Sequence, residues 1–279
     1  MNVPRKLLSV NLSAYRIRFI ETELPQDKRI NISEYGYNPN PNNINRLRFN
    51  LPREQVLYTS TNPWVSYCET VSEKSHIPYL YLSVWRKKHQ NKKLSCFLSS
   101  LEHCSQNKDS NAYKIRQEYC QSLTDSELKQ VLKISRILEK EYDPNEKDIY
   151  KESSKLASKM FKKIDCIISP SAKENDEVNL TYSKQYADNS LSLSHVFFCR
   201  SFEHRKKSLG FKVEKIGIRN ENKVIWYNWR IIEDSIKPIE PSQAENDMLY
   251  PNVNQPVNGW HTGIYQKQKV KFKIELLSD

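Results

Sequence analysis

A single glutamate, Glu69, lies within the segment WVSYCETV, which otherwise has the composition of a core-facing helix. A carboxylate held on a rigid helix can stabilise positive charge that develops on a neighbouring ligand. Two pairs of arginines, Arg16 with Arg18 and Arg46 with Arg48, supply planar guanidinium groups. Such groups bind phosphate through paired hydrogen bonds. The alternatives are that Glu69 is an ordinary exposed helical carboxylate and that the arginines are exposed strand residues.

Two further polar side chains lie near the ends of predicted strands. Tyr58 belongs to the apolar segment QVLYTS, where its ring can stack on a planar group or its hydroxyl can bind a phosphate. Ser171 follows Pro170 at the end of DCIISPS and can bind a hydroxyl or an amide. Core packing of Tyr58 and a turn or cap role for Ser171 are the alternatives.

Local patterns predict the elements that position these residues. The segment YRIRFI, residues 15–20, alternates polar and apolar residues and predicts a strand. Asn62 and Pro63 supply an N-cap and a proline at the first helical position, which predicts a helix over WVSYCETV. The capping-box pattern that begins at Thr124 predicts a helix from Asp125 to Tyr142.

Sequence patterns in the rest of the chain predict one more helix and several strands. The helix contains Leu156 and Met160, and it precedes the strand-like segments IDCIISPS, VNLTYS and LSHVFFCRSF. A hairpin turned at RNEN and a final strand, VKFKIELL, follow. These elements predict an α+β fold with a mixed central β-sheet, flanking helices and a β-rich C-terminal extension. We expect a catalytic domain over residues 1–200 and an extension, 201–279, packed on that core.

The net charge of +11 and the isoelectric point of 9.2 favour anionic partners. The basic run WRKKHQNKK, residues 85–93, can follow a phosphate backbone, but such runs more often form a solvated face. Trp226, Tyr227 and Trp229 can form a stacking platform for single-stranded nucleic acid, but alternation in a hairpin favours core packing. A non-catalytic nucleic-acid-binding protein is therefore an alternative that we do not favour.

Several other function classes receive no support from the sequence. No segment approaches the roughly 20 apolar residues that span a bilayer, and MNVPRKLLSV lacks a signal-peptide core, so we expect a cytoplasmic protein. The six cysteines have no zinc-site spacing, which predicts reduced thiols and no metal site. The absence of a GxGxxG loop disfavours a Rossmann mode of binding a dinucleotide.

The order and spacing of these features resemble the RES domain, a family named for an arginine, a glutamate and a serine and found in toxins of bacterial toxin–antitoxin pairs. The resemblance covers roughly Tyr15 to Arg200. Two positions depart from the family pattern, Leu47 in place of a glycine and Ser169 in place of a tyrosine. The matching segments are Tyr15-Arg16, Arg48-Phe49-Asn50, Val56-Leu57-Tyr58, Glu69 and Pro170-Ser171.

The resemblance implies a fold similar to that of ADP-ribosyltransferase toxins. It implies an enzyme that degrades NAD by hydrolysis or phosphorolysis of the bond between nicotinamide and ribose. NAD is then the substrate, and no separate cofactor is implied. Some members of the family instead transfer ADP-ribose to a protein, and typical members have an antitoxin partner that blocks the active-site cleft.

The resemblance also implies residue roles. Glu69, Arg48 and Ser171 would be catalytic, with the carboxylate stabilising the positive charge that develops on the ribose as nicotinamide leaves. Arg16, Tyr58 and Arg48 would bind NAD, with the arginines on its pyrophosphate. Periodicity alone does not choose between Arg16 and Arg18, or between Arg46 and Arg48. The family pattern favours Arg16 and Arg48.

Overall fold

The computed structural model describes residues 3–8, 13–21, 29–71, 78–89, 91–101, 106–139, 150–172, 176–203, 209–241, 257–259, 261–265 and 268–277. The chain divides into two compact units. Unit 1 consists of Met1–Arg16, Ser33–Ser72 and Val84–Leu193. Unit 2 consists of Ile17–Ile32, Glu73–Ser83 and Ser194–Asp279.

The described part of the chain contains thirteen strands and five α-helices. The strands are β1 (Lys6–Leu8), β2 (Ala14–Ile20), β3 (Arg29–Asn31), β4 (Val56–Ser60), β5 (Tyr79–Lys87), β6 (Leu94–Leu98), β7 (Cys166–Pro170), β8 (Val178–Ser183), β9 (Leu191–Glu203), β10 (Leu209–Asn220), β11 (Lys223–Pro241), β12 (His261–Tyr265) and β13 (Gln268–Leu277). The helices are α1 (Pro63–Val71), α2 (Asn111–Cys120), α3 (Asp125–Leu138), α4 (Lys151–Met160) and α5 (Lys184–Ser190).

Unit 1 contains a mixed sheet with the strand order β1-β6-β7-β8-β4-β2. Strands β6 and β7 are parallel, whereas β1 with β6, β7 with β8, β8 with β4, and β4 with β2 are antiparallel. Its central strands β6 and β7 are buried, with Phe97, Leu98, Ile167 and Ile168 all inaccessible to solvent. Strands buried on both faces are typical of sheets that helices cover.

Two helix starts in unit 1 follow from local capping. The Asn62 side chain accepts a hydrogen bond from the backbone N–H of Trp64 at 2.8 Å, so α1 begins at Pro63, as predicted. Thr124 and Glu127 form the predicted capping box ahead of α3. This helix ends at Leu138, and residues 140–142 of the longer predicted helix lie outside the described residues.

Unit 2 contains the β-rich C-terminal part of the chain. Strands β10 and β11 form the predicted hairpin, in which Asn220 pairs with Lys223. The residue with positive φ in this turn is Glu221, at 51°, and not one of the asparagines that we expected to adopt it. Strand β11 pairs with β13, which pairs with β12, and β3 also pairs with β11.

The aromatic residues of the hairpin serve the core of unit 2. Trp226 is buried and stacks on Tyr81, with 5.7 Å between ring centroids. Its ring also contacts Phe198 edge-on at 6.4 Å. Trp226 therefore packs in the core, which was the favoured alternative to a stacking platform for nucleic acid.

These elements confirm the predicted α+β class and its mixed sheet. The stretch from Leu80 to Leu123, for which the sequence analysis makes no prediction, contains most of β5, all of β6 and all of α2. The predicted division at residue 200 stays a prediction. Among the described helices, none combines the length and the apolar character that a membrane span requires.

The described cysteines are all free thiols, as the sequence predicted: Cys68, Cys96, Cys120, Cys166 and Cys199. Burial raises the pKa of the Cys166 and Cys199 thiols, so both side chains stay neutral and act as small core residues. Within the described ranges, no group of three or more His, Cys, Asp or Glu residues could hold a metal ion.

Candidate active site

The Glu69 carboxylate is held through one of its two oxygens. Oε1 accepts a hydrogen bond from Ser171 Oγ at 2.8 Å, from Asn179 Nδ2 at 3.1 Å and from the backbone N–H of Ala172 at 3.2 Å. Strand β4 leads into α1, which carries Glu69, while β7 ends next to Ser171 and β8 carries Asn179. The ends of three elements therefore meet at this carboxylate, and two of the predicted site residues are in direct contact.

The other oxygen of Glu69 is available to a ligand. Among the residues that the structure describes, none donates a hydrogen bond to Oε2. The side chain is also exposed to solvent. A carboxylate with one oxygen fixed and the other open can accept a hydrogen bond from a ligand or stabilise a positive charge beside it.

Asn179 belongs to this site, although the sequence analysis did not single it out. Its amide oxygen accepts a hydrogen bond from Ser60 Oγ at 2.6 Å, while its amide nitrogen donates to Glu69. Ser60 and Asn179 are direct partners across β4 and β8, so their side chains lie on the same face of the sheet. The register of these two strands is the signal that would have revealed Asn179, and register is not visible in a single sequence.

The Tyr58 hydroxyl is used to order a turn. It donates a hydrogen bond to Asn50 Oδ1 at 3.0 Å and accepts one from the backbone N–H of Phe49 at 3.1 Å. Burial raises the pKa of Tyr58, and the backbone N–H of Phe49 and the charge of Arg48 only partly oppose this effect. The hydroxyl is therefore neutral and engaged, so a contact to a ligand would have to use the ring.

Arg48 lies in the turn that Tyr58 holds. Backbone hydrogen bonds between Leu47 and Asn50 close this turn, so the segment is not the extended strand in which Arg46 and Arg48 would share a face. Asn50 is fully buried, and its amide donates to the carbonyl oxygens of Asn45 and Leu51, each at 2.9 Å. The turn is therefore fixed on both sides of Arg48.

The Arg48 guanidinium makes no hydrogen bond or ion pair to any residue in the described part of the chain. Its side chain is half-buried. A partly buried guanidinium that is carried on a fixed turn and has no hydrogen-bond or ion-pair partner in the described chain is suited to bind an anionic ligand. Arg46 is also half-buried, but it has protein contacts.

Arg16 contacts the same part of β4. Its Nη1 donates a hydrogen bond to the carbonyl oxygen of Tyr58 at 3.1 Å. Arg18, its neighbour two residues on, is exposed and belongs to unit 2. Arg16 is thus the arginine of this pair that lies beside the other predicted residues of unit 1.

The predicted residues form two adjacent groups in unit 1. Glu69 and Ser171 form one group, and Arg16, Arg48 and Tyr58 form the other. Tyr58 is two residues before Ser60 on β4, a separation of about 7 Å along a strand. Because Ser60 bonds the amide of Asn179, which bonds Glu69, the two groups are connected through one strand and two side chains.

Three lysines of the basic run, residues 85–93, donate hydrogen bonds to oxygen atoms of the protein. Lys87 Nζ donates to the carbonyl oxygen of Lys92 at 3.3 Å, and Lys88 Nζ donates to that of Asp188 at 2.7 Å. Lys92 Nζ donates to Ser190 Oγ at 3.0 Å. These ammonium groups have partners within unit 1, which favours a structural role over a nucleic-acid interface.

Comparison with known proteins does not identify a family. No protein-family model matches the sequence, and no curated protein matches it. A solved structure from M. tuberculosis, described as the MbcT-MbcA toxin-antitoxin complex, is similar to 68% of this chain and 85% of that chain at 9% identity, with a TM-score of 0.35. A similarity at this level does not indicate a function, so the function has to be inferred from the geometry and chemistry of the site.

Proposed function

We propose that this protein is an enzyme of the RES type that cleaves the bond between nicotinamide and ribose in NAD. The observation that carries this proposal is the Glu69 carboxylate, with Oε1 tied to three donors and Oε2 open. The order of sequence motifs that resembles the RES domain supports the same reaction.

The chemistry of the cleavage matches what this carboxylate can do. When the bond from ribose C1′ to the nicotinamide nitrogen breaks, its electron pair leaves with nicotinamide and positive charge develops on the ribose. A carboxylate oxygen beside the ring is stabilising chiefly in the transition state, which accelerates the reaction. Attack of water at C1′ then gives ADP-ribose and a proton. Attack of phosphate at the same carbon gives ADP-ribose phosphorylated at C1′.

The arginines supply the second half of the site. The pyrophosphate of NAD carries two negative charges, and a guanidinium can bind each through paired hydrogen bonds. Arg48 would make this contact directly because its guanidinium has no partner in the described chain. Arg16, on β2, would make a second contact to the pyrophosphate. The ring of Tyr58 would stack on a planar group of the substrate.

Incubation of the purified protein with NAD, followed by chromatographic analysis of the products, tests this proposal. We expect nicotinamide release by the wild type and a loss of at least about 100-fold in Glu69→Ala, since the removed group acts on the transition state. Glu152→Ala, which removes an exposed helical carboxylate of unit 1, is the matched control. Failure of the wild type to release nicotinamide would refute the proposal.

The exposure of Glu69 also favours a second candidate activity. An exposed carboxylate is accessible to a macromolecular acceptor, so transfer of ADP-ribose to a protein is compatible with the geometry. NAD labelled in its adenosine part distinguishes the two activities, because the label would stay on a protein after transfer and would appear in free ADP-ribose after hydrolysis.

The proposed biological role is that of a toxin with an antitoxin partner, acting in the cytoplasm. A toxin that consumes NAD would arrest the growth of its host. Expression of the wild type should therefore suppress growth, and Glu69→Ala should relieve it. Equal growth with both proteins would contradict this role without affecting the proposed reaction.

A further inference from the structure

Asn179 and Ser60 form a chain of hydrogen bonds that ends at the Glu69 carboxylate. Ser60 Oγ lies 2.6 Å from Asn179 Oδ1, and Asn179 Nδ2 lies 3.1 Å from Glu69 Oε1. Neither Ser60 nor Asn179 belongs to the motifs that resemble the RES domain. Ser60 is buried and Asn179 is half-buried, so the chain runs from the sheet outward to the exposed carboxylate.

The direction of this chain is determined by the carboxylate. An ionised carboxylate only accepts hydrogen bonds, so it must face the amide nitrogen of Asn179 and not the amide oxygen. The amide oxygen then faces Ser60, whose hydroxyl has to donate its proton to it. Each bond in such a chain polarises the next, which strengthens the contact to Glu69.

Asn179 is also the one of the three donors that lies inside a strand. Its backbone pairs with Ser60 on β4 and with Ser169 on β7, so strands flank it on both sides. The other two donors, Ser171 and Ala172, follow the end of β7. A donor inside a strand paired on both edges defines a position more closely than donors beyond a strand end.

We infer that Asn179, oriented by Ser60, is a positioning residue that holds Oε1 of Glu69 and thereby presents Oε2 to the substrate. The kinetic consequences of this inference rest on the proposed NAD-cleaving function. The contact itself does not, and it can be tested without any activity.

Three variants test the kinetic consequence with NAD as the substrate. Asn179→Ala should lower kcat about 100-fold, because a small misplacement of a group that acts on the transition state has this effect. The KM for NAD should change by less than about threefold, since uniform binding is untouched. Ser60→Ala should lower kcat about 10-fold. The double variant should match Asn179→Ala, because Ser60 acts only through Asn179.

Two further variants separate positioning from general structure. Asn179→Asp should be slower than Asn179→Ala, because it places a second carboxylate about 3 Å from Glu69. Asn189→Ala, which removes an exposed amide from α5 of unit 1, should leave kcat unchanged. Wild-type kcat in Asn179→Ala, or independent effects of the Ser60 and Asn179 changes in the double variant, would overturn the inference.

Nuclear magnetic resonance of the side-chain amide of Asn179 gives a readout independent of turnover. In the wild type, we expect one amide proton shifted downfield and protected from exchange by the carboxylate. Glu69→Ala should remove both effects, and it should fold because Glu69 is exposed. An Asn179 signal that does not respond to Glu69→Ala would refute the contact. Absence of nicotinamide release with an Asn179 signal that does respond would refute only the proposed reaction.

Discussion

Ser171 Oγ donates a hydrogen bond to Glu69 Oε1 at 2.8 Å, although 102 residues separate the two side chains. Ser171→Ala removes this donor and leaves the two from Ala172 and Asn179. We therefore expect nicotinamide release to fall about 10-fold, less than in Glu69→Ala or Asn179→Ala, because the donor inside β8, which is paired on both edges, still holds Oε1. Ser122→Ala is the matched control, since within the described residues its hydroxyl bonds only the carbonyl oxygen of Tyr119. An unchanged rate in Ser171→Ala would show that this bond is dispensable.

Arg48→Ala should raise the KM for NAD by about 10-fold to 100-fold, the effect expected when a charge-assisted contact is lost. Arg48→Lys should recover only part of this loss, because an ammonium binds phosphate as a point charge without paired bonds. Steady-state kinetics with varied NAD measure both effects. Arg53→Ala, in the same loop and exposed, should behave as the wild type. Equal effects of the Arg48 and Arg53 changes would indicate charge steering and no specific contact.

Tyr58→Phe should destabilise unit 1 and loosen the turn between Leu47 and Asn50, which carries Arg48. The change removes the donor to Asn50 Oδ1 and the acceptor of the Phe49 N–H, so we expect a cost of about 1–3 kcal/mol in the free energy of unfolding. Urea denaturation measures this cost, and the KM for NAD should rise in parallel. Tyr113→Phe, on the partly exposed α2, should change stability by less than about 0.5 kcal/mol. Comparable losses in the two variants would contradict this assignment.

Two glycines should respond differently to alanine. A Cβ at Gly217 would lie 2.5 Å from Val224 Cγ1 and 3.0 Å from the Trp226 ring, so Gly217→Ala should cost about 1–3 kcal/mol through overpacking. A Cβ at Gly36 would meet the Trp85 ring at 3.5 Å, an ordinary contact. Gly36→Ala should therefore be neutral or stabilising by up to about 1 kcal/mol. Thermal unfolding of both variants tests this difference, and a stable Gly217→Ala would contradict the close packing of the hairpin.

Stability should fall in alkaline solution. Burial raises the pKa of Tyr119 and Tyr182 above the ordinary value near 10. As the pH rises, the unfolded chain loses these protons before the folded chain does. The contribution of the two tyrosines to the free energy of unfolding is therefore complete below about pH 10, and it is lost as the pH rises towards their pKa values in the folded protein. The expected slope is about 1.4 kcal/mol per pH unit for each tyrosine. Urea denaturation from pH 8 to 11 measures it.

Tyr119→Phe is the control for this alkaline transition. It removes one of the titrating groups, so the slope above pH 10 should be shallower by one proton. It also removes the hydrogen bond to the carbonyl oxygen of Pro4, which should cost about 1 kcal/mol at neutral pH. An unfolding free energy that stays constant above pH 10 would contradict the burial of these phenols.

The elements that sequence reasoning predicted correctly are those with local signals. The helix at Pro63 follows from the Asn62 cap, and the helix after Thr124 follows from its capping box. Contacts at short sequence separation determine both starts, so a single sequence is sufficient to reveal them. The approach of Glu69 to Ser171 was predicted through the order of motifs and not from periodicity.

The features that were missed depend on tertiary structure. The turn between Leu47 and Asn50 is held by Tyr58 on the neighbouring strand β4, so the sequence of the turn alone does not predict it. The left-handed residue of the β10–β11 turn is Glu221, because the strand register determines which residue occupies that position. Asn179 reaches Glu69 only because β8 lies between β4 and β7.

The pairing of β8 with both of its neighbours makes the candidate active site sensitive to the register of this strand. Alternate residues of a strand point to opposite faces, so a slip of β8 by one position would turn Asn179 away from Glu69. The carboxylate would then face an apolar side chain, Val178 or Leu180. A single-residue insertion or deletion just before β8 would thus preserve the sheet and still abolish the proposed activity.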